Sequence, residues 1–371
     1  MRAQNQIMFV FLSIVIVLII AGKNFLSQPR FGKKPSGHRL QRILKSPHYS
    51  NGSFKNISPT PDLTEGVSYF KVLKEFFFEK KERKVPIQPI PSIKTDLLQL
   101  GKDENIVVWF GHSSYFMQID KKTFLVDPVF SGAASPIASF AKAFKGTDVF
   151  GVNDFPEIDY LIITHDHWDH LDYKTVKEFT PKVRQVVTGL GTGEHLESWG
   201  YQASVVTEMD WNQEHVAEQG FKFNSVAARH FSGRGLKRNQ ALWMSFVLTT
   251  PSFKIYIGGD SGYDKHFAAT GNTFGPFDLA ILENGQYDKN WRYIHMLPEQ
   301  LPIAVSELKT KKLLAVHSSK FSLANHPWDE PLKKIAANID PETQLITPMI
   351  GEKVELANPS QKFSRWWESV E

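Results

Sequence analysis

The stretch His165-Asp166-His167-Trp168-Asp169-His170 decides how the rest of this chain is read. Three imidazoles and two carboxylates within six residues cannot share one face of a strand, with its period of two, or of a helix, with its period of 3.6. The segment must be a loop curled around something cationic. It follows the apolar run Tyr160-Leu161-Ile162-Ile163-Thr164, the pattern of a buried strand. The chain has no cysteine, so any metal site is built from nitrogen and oxygen donors, and no disulfide framework exists. Imidazole and carboxylate suit a borderline ion such as zinc, with manganese or iron as alternatives.

Working outward, three more strand-like runs end in a residue of the same chemistry. FNSVAA (223–228) leads through Arg229 to His230, KIYIGG (254–259) ends at Asp260, and KLLAV (312–316) ends at His317. A single histidine after a strand is an ordinary loop residue, and a Gly-Gly-Asp turn is common punctuation. In company with the histidine-rich loop they become candidate ligands, because loops on a rigid sheet are where distant parts of a chain converge. Six or more protein donors exceed what one tetrahedral zinc takes, so two metal ions are implied. A closely spaced pair lowers the pKa of a water held between the ions; Asp166 or Asp169 can serve as base or water-positioning group, and Asp169 and Asp260 are the candidate catalytic carboxylates.

The 371 residues are 42% hydrophobic and 22% charged, ordinary globular composition for one large domain or two modest ones. Net charge is +4, concentrated between Gly22 and Pro61 in Lys23, Arg30, Lys33, Lys34, Arg39, Arg42, Lys45 and Lys55, with no acidic residue among them. That is a local collar, and no nucleic-acid partner is expected. Residues 7–22, IMFVFLSIVIVLIIAG, carry no charge; as a helix they span roughly 24 Å, slightly short of a bilayer core of about 30 Å. The segment is either a short anchor or a signal peptide. Ile19-Ile20-Ala21 fits a cleavage site poorly, which favours an uncleaved single-pass anchor. The basic residues on its C-terminal side then place the domain on the cytoplasmic face, an orientation that a cleaved signal would reverse.

The expected organisation is an anchor at 1–22, a basic linker and lead-in segment at 23–65, and a catalytic domain at 66–371. An amphipathic helix is expected at 66–81, with Val67, Phe70, Leu73, Phe77 and Phe78 packing on the domain; a membrane-facing surface is the alternative. From Asn105 short β-rich runs alternate with helices expected to start near Lys174, Thr192, Pro298 and Pro331, which predicts an α/β or α+β layered fold.

WFGHSSYFMQIDKKTFLVDPVFS (109–131), the histidine loop, GGDSGY (258–263) and AVHSSKFSLANHPWDEP (315–331) together resemble the metallo-β-lactamase superfamily. More narrowly they resemble its N-acyl-phosphatidylethanolamine phospholipase D branch and bacterial lactonase relatives, over roughly Asn105 to Gly351. The resemblance implies a four-layer αβ/βα sandwich with a dinuclear zinc site. It assigns His165, His167 and His230 to one metal, Asp169, His170 and His317 to the other, and Asp260 as the bridge. Trp168 and His295 then line the substrate site, with Trp168 standing where a tyrosine is frequent. Gly111-His112 is read as a structural turn, and Asp127 as orienting a ligand histidine. Arg229, Arg234, Lys237 and Arg238 either receive a phosphate or form a solvated loop.

The implied activity is hydrolysis of an N-acyl-phosphatidylethanolamine-like phospholipid by a zinc-dependent phosphodiesterase, with membrane lipid as substrate and a homodimer as a possible assembly. Two alternatives stand beside it: a lactonase acting on a sugar lactone or other small ester, and a non-enzymatic, metal-stabilised membrane scaffold.

Overall fold

The computed structural model describes residues 2–79 and 81–370, without the side chains of Arg2, Ala3 and Phe77. The outermost residues of the expected segments, Met1 and Glu371, lie outside the described residues, as do Lys80 and the expected role of the Phe77 side chain. Helix α1 (Arg2–Leu26) has 25 residues, of which Gln4–Leu26 is long and apolar enough to cross a membrane. It extends past Lys23, so its roughly 35 Å over 23 residues removes the shortfall expected from the charge-free run alone.

The stretch expected as a linker lies against the domain. It contains α2 (Gly37–Leu44) and a small hairpin of β1 (Tyr49–Ser50) and β2 (Ser53–Phe54). The collar is partly consumed in this docking: Arg39 pairs with Glu194, Glu197 and Glu208, Arg42 donates to the Glu208 carbonyl, and Arg30 to that of Pro136. The next helix, α3 (Tyr69–Phe78), starts later than expected because the Ser68 side chain accepts from Lys71 N and caps it. Its apolar face is reversed from the expectation. Tyr69, Phe70, Leu73 and Phe78 are exposed, while Glu75 turns inward to accept from Asn290 Nδ2 at 2.7 Å.

The body of the chain is a four-layer αβ/βα sandwich. The first sheet has the order β16-β3-β4-β5-β6-β7-β8, comprising β3 (Ile106–Trp109), β4 (Tyr115–Ile119), β5 (Lys122–Val126), β6 (Ile158–Ile163), β7 (Val183–Gly189), β8 (Val206–Met209) and β16 (Lys353–Glu355). The second runs β15-β14-β13-β12-β11-β10-β9, comprising β9 (Glu214–Glu218), β10 (Phe221–Val226), β11 (Ser245–Thr249), β12 (Lys254–Ile257), β13 (Leu279–Glu283), β14 (Lys312–Val316) and β15 (Gln344–Ile346). Each sheet is antiparallel on one side and parallel on the other; β5 to β8 and β12 to β15 are the parallel runs. Helices α4 (Tyr173–Phe179) and α5 (Gly193–Ser198) make the crossovers of the first sheet, and α6 (His266–Phe274), α7 (Leu301–Leu308) and α8 (Glu330–Asn338) those of the second.

Alternation along each strand builds the layers. Val107, Met117, Phe124 and Ile162 face Phe223, Phe246, Ile255 and Ile281 across the sandwich centre. Their neighbours Phe116, Leu125 and Leu161 pack outward under α4 and α5, while Val247, Tyr256 and Ala280 pack under α6 and α7. Strands buried on both faces read as continuous apolar runs, which is why IVVW, LAIL and KLLAV look alike in sequence.

Candidate metal centre

All the chemistry-bearing loops leave the same edge of the two sheets. β6 delivers His165 and the histidine loop, β10 delivers His230, β12 delivers Asp260 and β14 delivers His317. The backbone there is tightly constrained. His112, Asp127 and His317, after β3, β5 and β14, have φ of 53°, 41° and 66°, a left-handed conformation that costs a non-glycine residue energy and clusters at functional sites. Two backbone bonds of 2.8 Å, from His317 N to His112 O and from His112 N to Ser318 O, lock two of these loops together. Gly259 is required sterically: a Cβ there would lie 2.8 Å from Met244 O.

Two of the four-residue donor groups formed here share no residue, and in each one donor atom per residue lies within 4.8 Å of the others. The first is His165, His167, His230 and Asp260; the second is His112, Asp169, His170 and His317. In the first group His167 Nδ1 lies 2.9 Å from His165 Nε2 and 3.2 Å from His230 Nε2. Asp260 reaches both groups, with Oδ2 3.6 Å from His230 Nε2 and 3.2 Å from His317 Nε2, and Oδ1 3.2 Å from His170 Nε2. His170 Nε2 and Asp260 Oδ1 are buried and, although 3.2 Å apart, lack the geometry of a hydrogen bond to each other or to any other group. Buried orphaned donors and acceptors are rare unless something else satisfies them, and convergent imidazole nitrogens with carboxylate oxygens fit a pair of divalent cations.

The surrounding hydrogen bonds fix each ring. His170 Nδ1 faces Asp127 at 2.7 Å, and Asp127 also accepts from Thr164 N at 2.9 Å. His230 Nδ1 faces the Ile294 carbonyl at 2.8 Å, and His112 Nε2 faces Asp169 Oδ2 at 2.8 Å. Such partners set which nitrogen remains for a metal and raise its basicity.

Electrostatics divide the six histidines expected as ligands, while His112 beside them is held down to about 3 by burial. Burial, helped by neighbouring imidazoles, holds His165 and His230 well below the ordinary histidine value and His167 down at about 3. For His170 and His317 burial pulls the same way, but Asp260 and Asp169 outweigh it, leaving His170 well above that value and pushing His317 up to about 10. Burial opposes ionisation of Asp169 and Asp260, yet the facing histidines keep both well below the usual carboxylate range.

The seven residues expected as ligands therefore come together, and Asp127 lies where its expected orienting contact requires. Asp166 points away from the cluster, its Oδ1 accepting from Gly233 N at 2.7 Å and its Oδ2 lying 3.3 Å from His195 Nε2. Trp168 is half-buried, with the Phe31 ring 5.2 Å away edge-on and the Arg234 guanidinium 4.0 Å over its face. His295 stacks 5.1 Å from His317, its Nδ1 held by Glu283 at 2.6 Å.

Three corrections follow. His112 is more than a structural turn, since its ring contacts Asp169 and joins the second donor group. Most of the basic loop is not available to a phosphate. Arg234 is buried, donating to the carbonyls of Arg30, Asp166 and Leu171, while Arg229 holds Pro59, Thr60 and Tyr263. Arg238 pairs with Asp62 at 2.9 Å and covers Phe231, so only Lys237 remains unpaired among these four. Glu283 went unnoticed in the sequence although LAILE ends on it, as the other chemistry-bearing runs end on theirs. It belongs to a third cluster with Asp260, His295 and His317.

Residues 122–318 match the Beta-lactamase superfamily domain. An uncharacterized protein of Mycobacterium tuberculosis is 34% identical over 328 residues, covering 87% of this chain and 88% of its own length. The N-acyl-phosphatidylethanolamine-hydrolyzing phospholipase D 1 of Caenorhabditis elegans is 27% identical over 340 residues, covering 85% of this chain and 92% of its own. Among solved structures, a possible metal-dependent hydrolase from Veillonella parvula superposes with a TM-score of 0.54 at 16% identity, covering 68% of this chain and 100% of that one. The two packed sheets, the donors gathered at their shared edge and the domain match lead to one conclusion: this chain belongs to the β-lactamase superfamily, as a metal-dependent hydrolase of the metallo-β-lactamase fold.

Proposed function

We propose that the protein is a membrane-anchored, zinc-dependent phosphodiesterase that cleaves N-acyl-phosphatidylethanolamine-like phospholipids in the manner of a phospholipase D, with its domain on the cytoplasmic face. The observation that carries this reading is an aromatic chain from the anchor to the metal loop. Phe25, at the end of α1, meets Phe31 at 5.1 Å, and Phe31 meets Trp168 at 5.2 Å. Trp168 lies between His167 and Asp169, so the candidate centre is tied to the point where α1 ends. The similarity to the Caenorhabditis elegans phospholipase D supports the same substrate class.

His165, His167 and His230 would hold one ion, Asp169, His170 and His317 the other, with Asp260 shared. Two zinc ions bound there supply Lewis acidity and water activated near neutral pH. The chain's own residues do the positioning. His112 fixes the Asp169 carboxylate, Asp127 fixes the His170 ring, and Glu283 holds His295 by Nδ1, which leaves Nε2 to meet a phosphoryl oxygen. Trp168 offers a flat wall for the substrate, and the overall change is addition of water across a phosphorus–oxygen bond. The test is a hydrolysis screen of zinc-loaded protein against N-acyl phosphatidylethanolamine, other phosphodiesters and lactones, with His165→Ala as control. Release of N-acylethanolamine that depends on His165 is the expected result. Turnover confined to lactones would overturn the substrate, and absence of all turnover with fewer than two ions per chain would favour a scaffold.

A further inference from the structure

Beside the metal loop, on the side facing the end of α1, lies a second cavity of about 350 Å³. One wall comes from the segment that leaves α1, with Leu26, Phe31, Lys33 and Lys34; the other comes from the loop after His230, with Leu236 and Lys237. Its floor is already satisfied. Asp166 is held by Gly233 N and His195, and Arg234 spends its donors on three backbone carbonyls. The walls are not. Lys33 is 3.7 Å from Glu194, with its side chain 65% exposed, and among the described residues Lys34 and Lys237 face no carboxylate. Neither lysine belongs to the candidate metal centre.

Two properties of this cavity restrict its occupant. Its unpaired charges are lysine ammonium groups, compact point charges that suit a phosphate oxygen. Its rim is apolar, and Leu236, 89% exposed, has no packing role in the domain. An exposed leucine between basic residues is poorly suited to water and well suited to the boundary between headgroups and acyl chains. The cavity also opens beside Leu26, the last residue of the candidate membrane span. We infer that it binds the headgroup of an anionic phospholipid from the bilayer holding α1, with the phosphate between Lys34 and Lys237 and the acyl chains leaving past Leu26 and Leu236. This site would be separate from the one where substrate is cleaved. The inference rests on α1 being a membrane anchor, but not on the identity of the hydrolysed substrate.

Because Phe31 lines the cavity and also packs on Trp168, an occupied site would press the linker against the metal loop. The bilayer's own composition would then set how firmly Trp168 is supported.

The test is native mass spectrometry of the full-length, metal-loaded protein in neutral detergent, titrated with dioctanoyl phosphatidylglycerol, dioctanoyl phosphatidylcholine or inorganic phosphate. One phosphatidylglycerol per chain is expected. Lys34→Gln and Lys237→Gln should each weaken it roughly fivefold, and the doubly charge-reversed Lys34→Glu/Lys237→Glu variant by more, as befits lysines near a headgroup. Lys102→Glu, on a distant turn, should change nothing. Equal binding of phosphatidylcholine, equal binding of inorganic phosphate, or undiminished binding by both single variants would each overturn the proposal. Metal content and melting temperature identify any variant that fails to fold, and the neutral single variants decide the matter if the double one does. The measurement involves no turnover, so a negative hydrolysis screen leaves it standing. Conversely, a chain that hydrolyses N-acyl phosphatidylethanolamine but binds no phosphatidylglycerol would sink this inference alone.

Discussion

His165, His167 and His230 face a single carboxylate, Asp260, whereas His112, His170 and His317 surround Asp169 and are backed by Asp127 and Glu283. The same fold edge thus carries three histidines of lowered proton affinity in the first group and, in the second, His170 and His317 of raised proton affinity beside a His112 that burial holds down to about 3. In the first, burial keeps the imidazoles neutral and ready to donate. In the second, the carboxylates draw protons onto His170 and His317, and a cation must displace them. The contrast teaches that two ions in one cluster need not be bound with equal ease, even where their donor atoms look alike.

The largest expected effect comes from breaking what the two groups share. Asp260→Asn should lower turnover by roughly 10²–10³-fold or more and take the metal content below two ions per chain, while the metal-free protein melts close to the wild type. Steady-state kinetics and elemental analysis check it, and wild-type rates in this variant would contradict a shared carboxylate. A smaller, selective effect is expected from Asp127→Asn, whose side chain contacts His170 alone among the candidate ligands, besides Thr164. One ion should be lost more easily by roughly 10–100-fold in a chelator competition, with the other unchanged. Equal weakening of both ions would mean that the groups act as one.

The smallest effect sharpens the difference by pH. His317 holds its proton up to about 10 and His170 is also raised well above the ordinary value, so between pH 7 and pH 9 an ion entering the second group would release at least the His317 proton. Affinity for that ion should rise by at least about tenfold per pH unit, and by more where His170 is also protonated. The first group, whose histidines titrate below their ordinary value, should show a flat profile in the same window. Linkage has the matching sign for the metal-free fold. A histidine raised on folding adds stability fully present below its unfolded value near 6.5 and lost as pH rises through about 10. Calorimetry of the chelated protein should therefore show its melting temperature falling across that range, and a flat curve would remove the distinction.

The central sandwich and the cluster were legible because both rest on local rules. Apolar runs ending in His or Asp marked the strands and the loops they carry, and the same rule covered Glu283, though it was not applied to that run. The helix α6 was not expected: HFAATGNTF carries Gly271 and Asn272 in its second half, and tertiary packing of Phe267 under the second sheet overrides that weak propensity. The docking of residues 29–44 was hidden for a different reason. Arg39 is held by Glu194, Glu197 and Glu208, more than 150 residues away in sequence, and no periodicity within the segment reports such partners. For the same reason the sequence leaves Arg234 open to a phosphate or to solvent, whereas its donors go to three carbonyls on two other segments.

The aromatic chain through Phe25, Phe31 and Trp168 bears on how the protein should be prepared. Cutting away an apolar N-terminal helix is a common route to a soluble sample. Here the cut would also withdraw Phe25, the ring behind Phe31, and a cut after Phe31 would remove both the ring that packs on Trp168 and the Arg30 carbonyl that takes two donors from Arg234. Under the proposed function, kinetics from such a sample would describe a site whose proposed wall, Trp168, is less well supported. Detergent-solubilised full-length protein is the material whose rates can be compared with those in a bilayer.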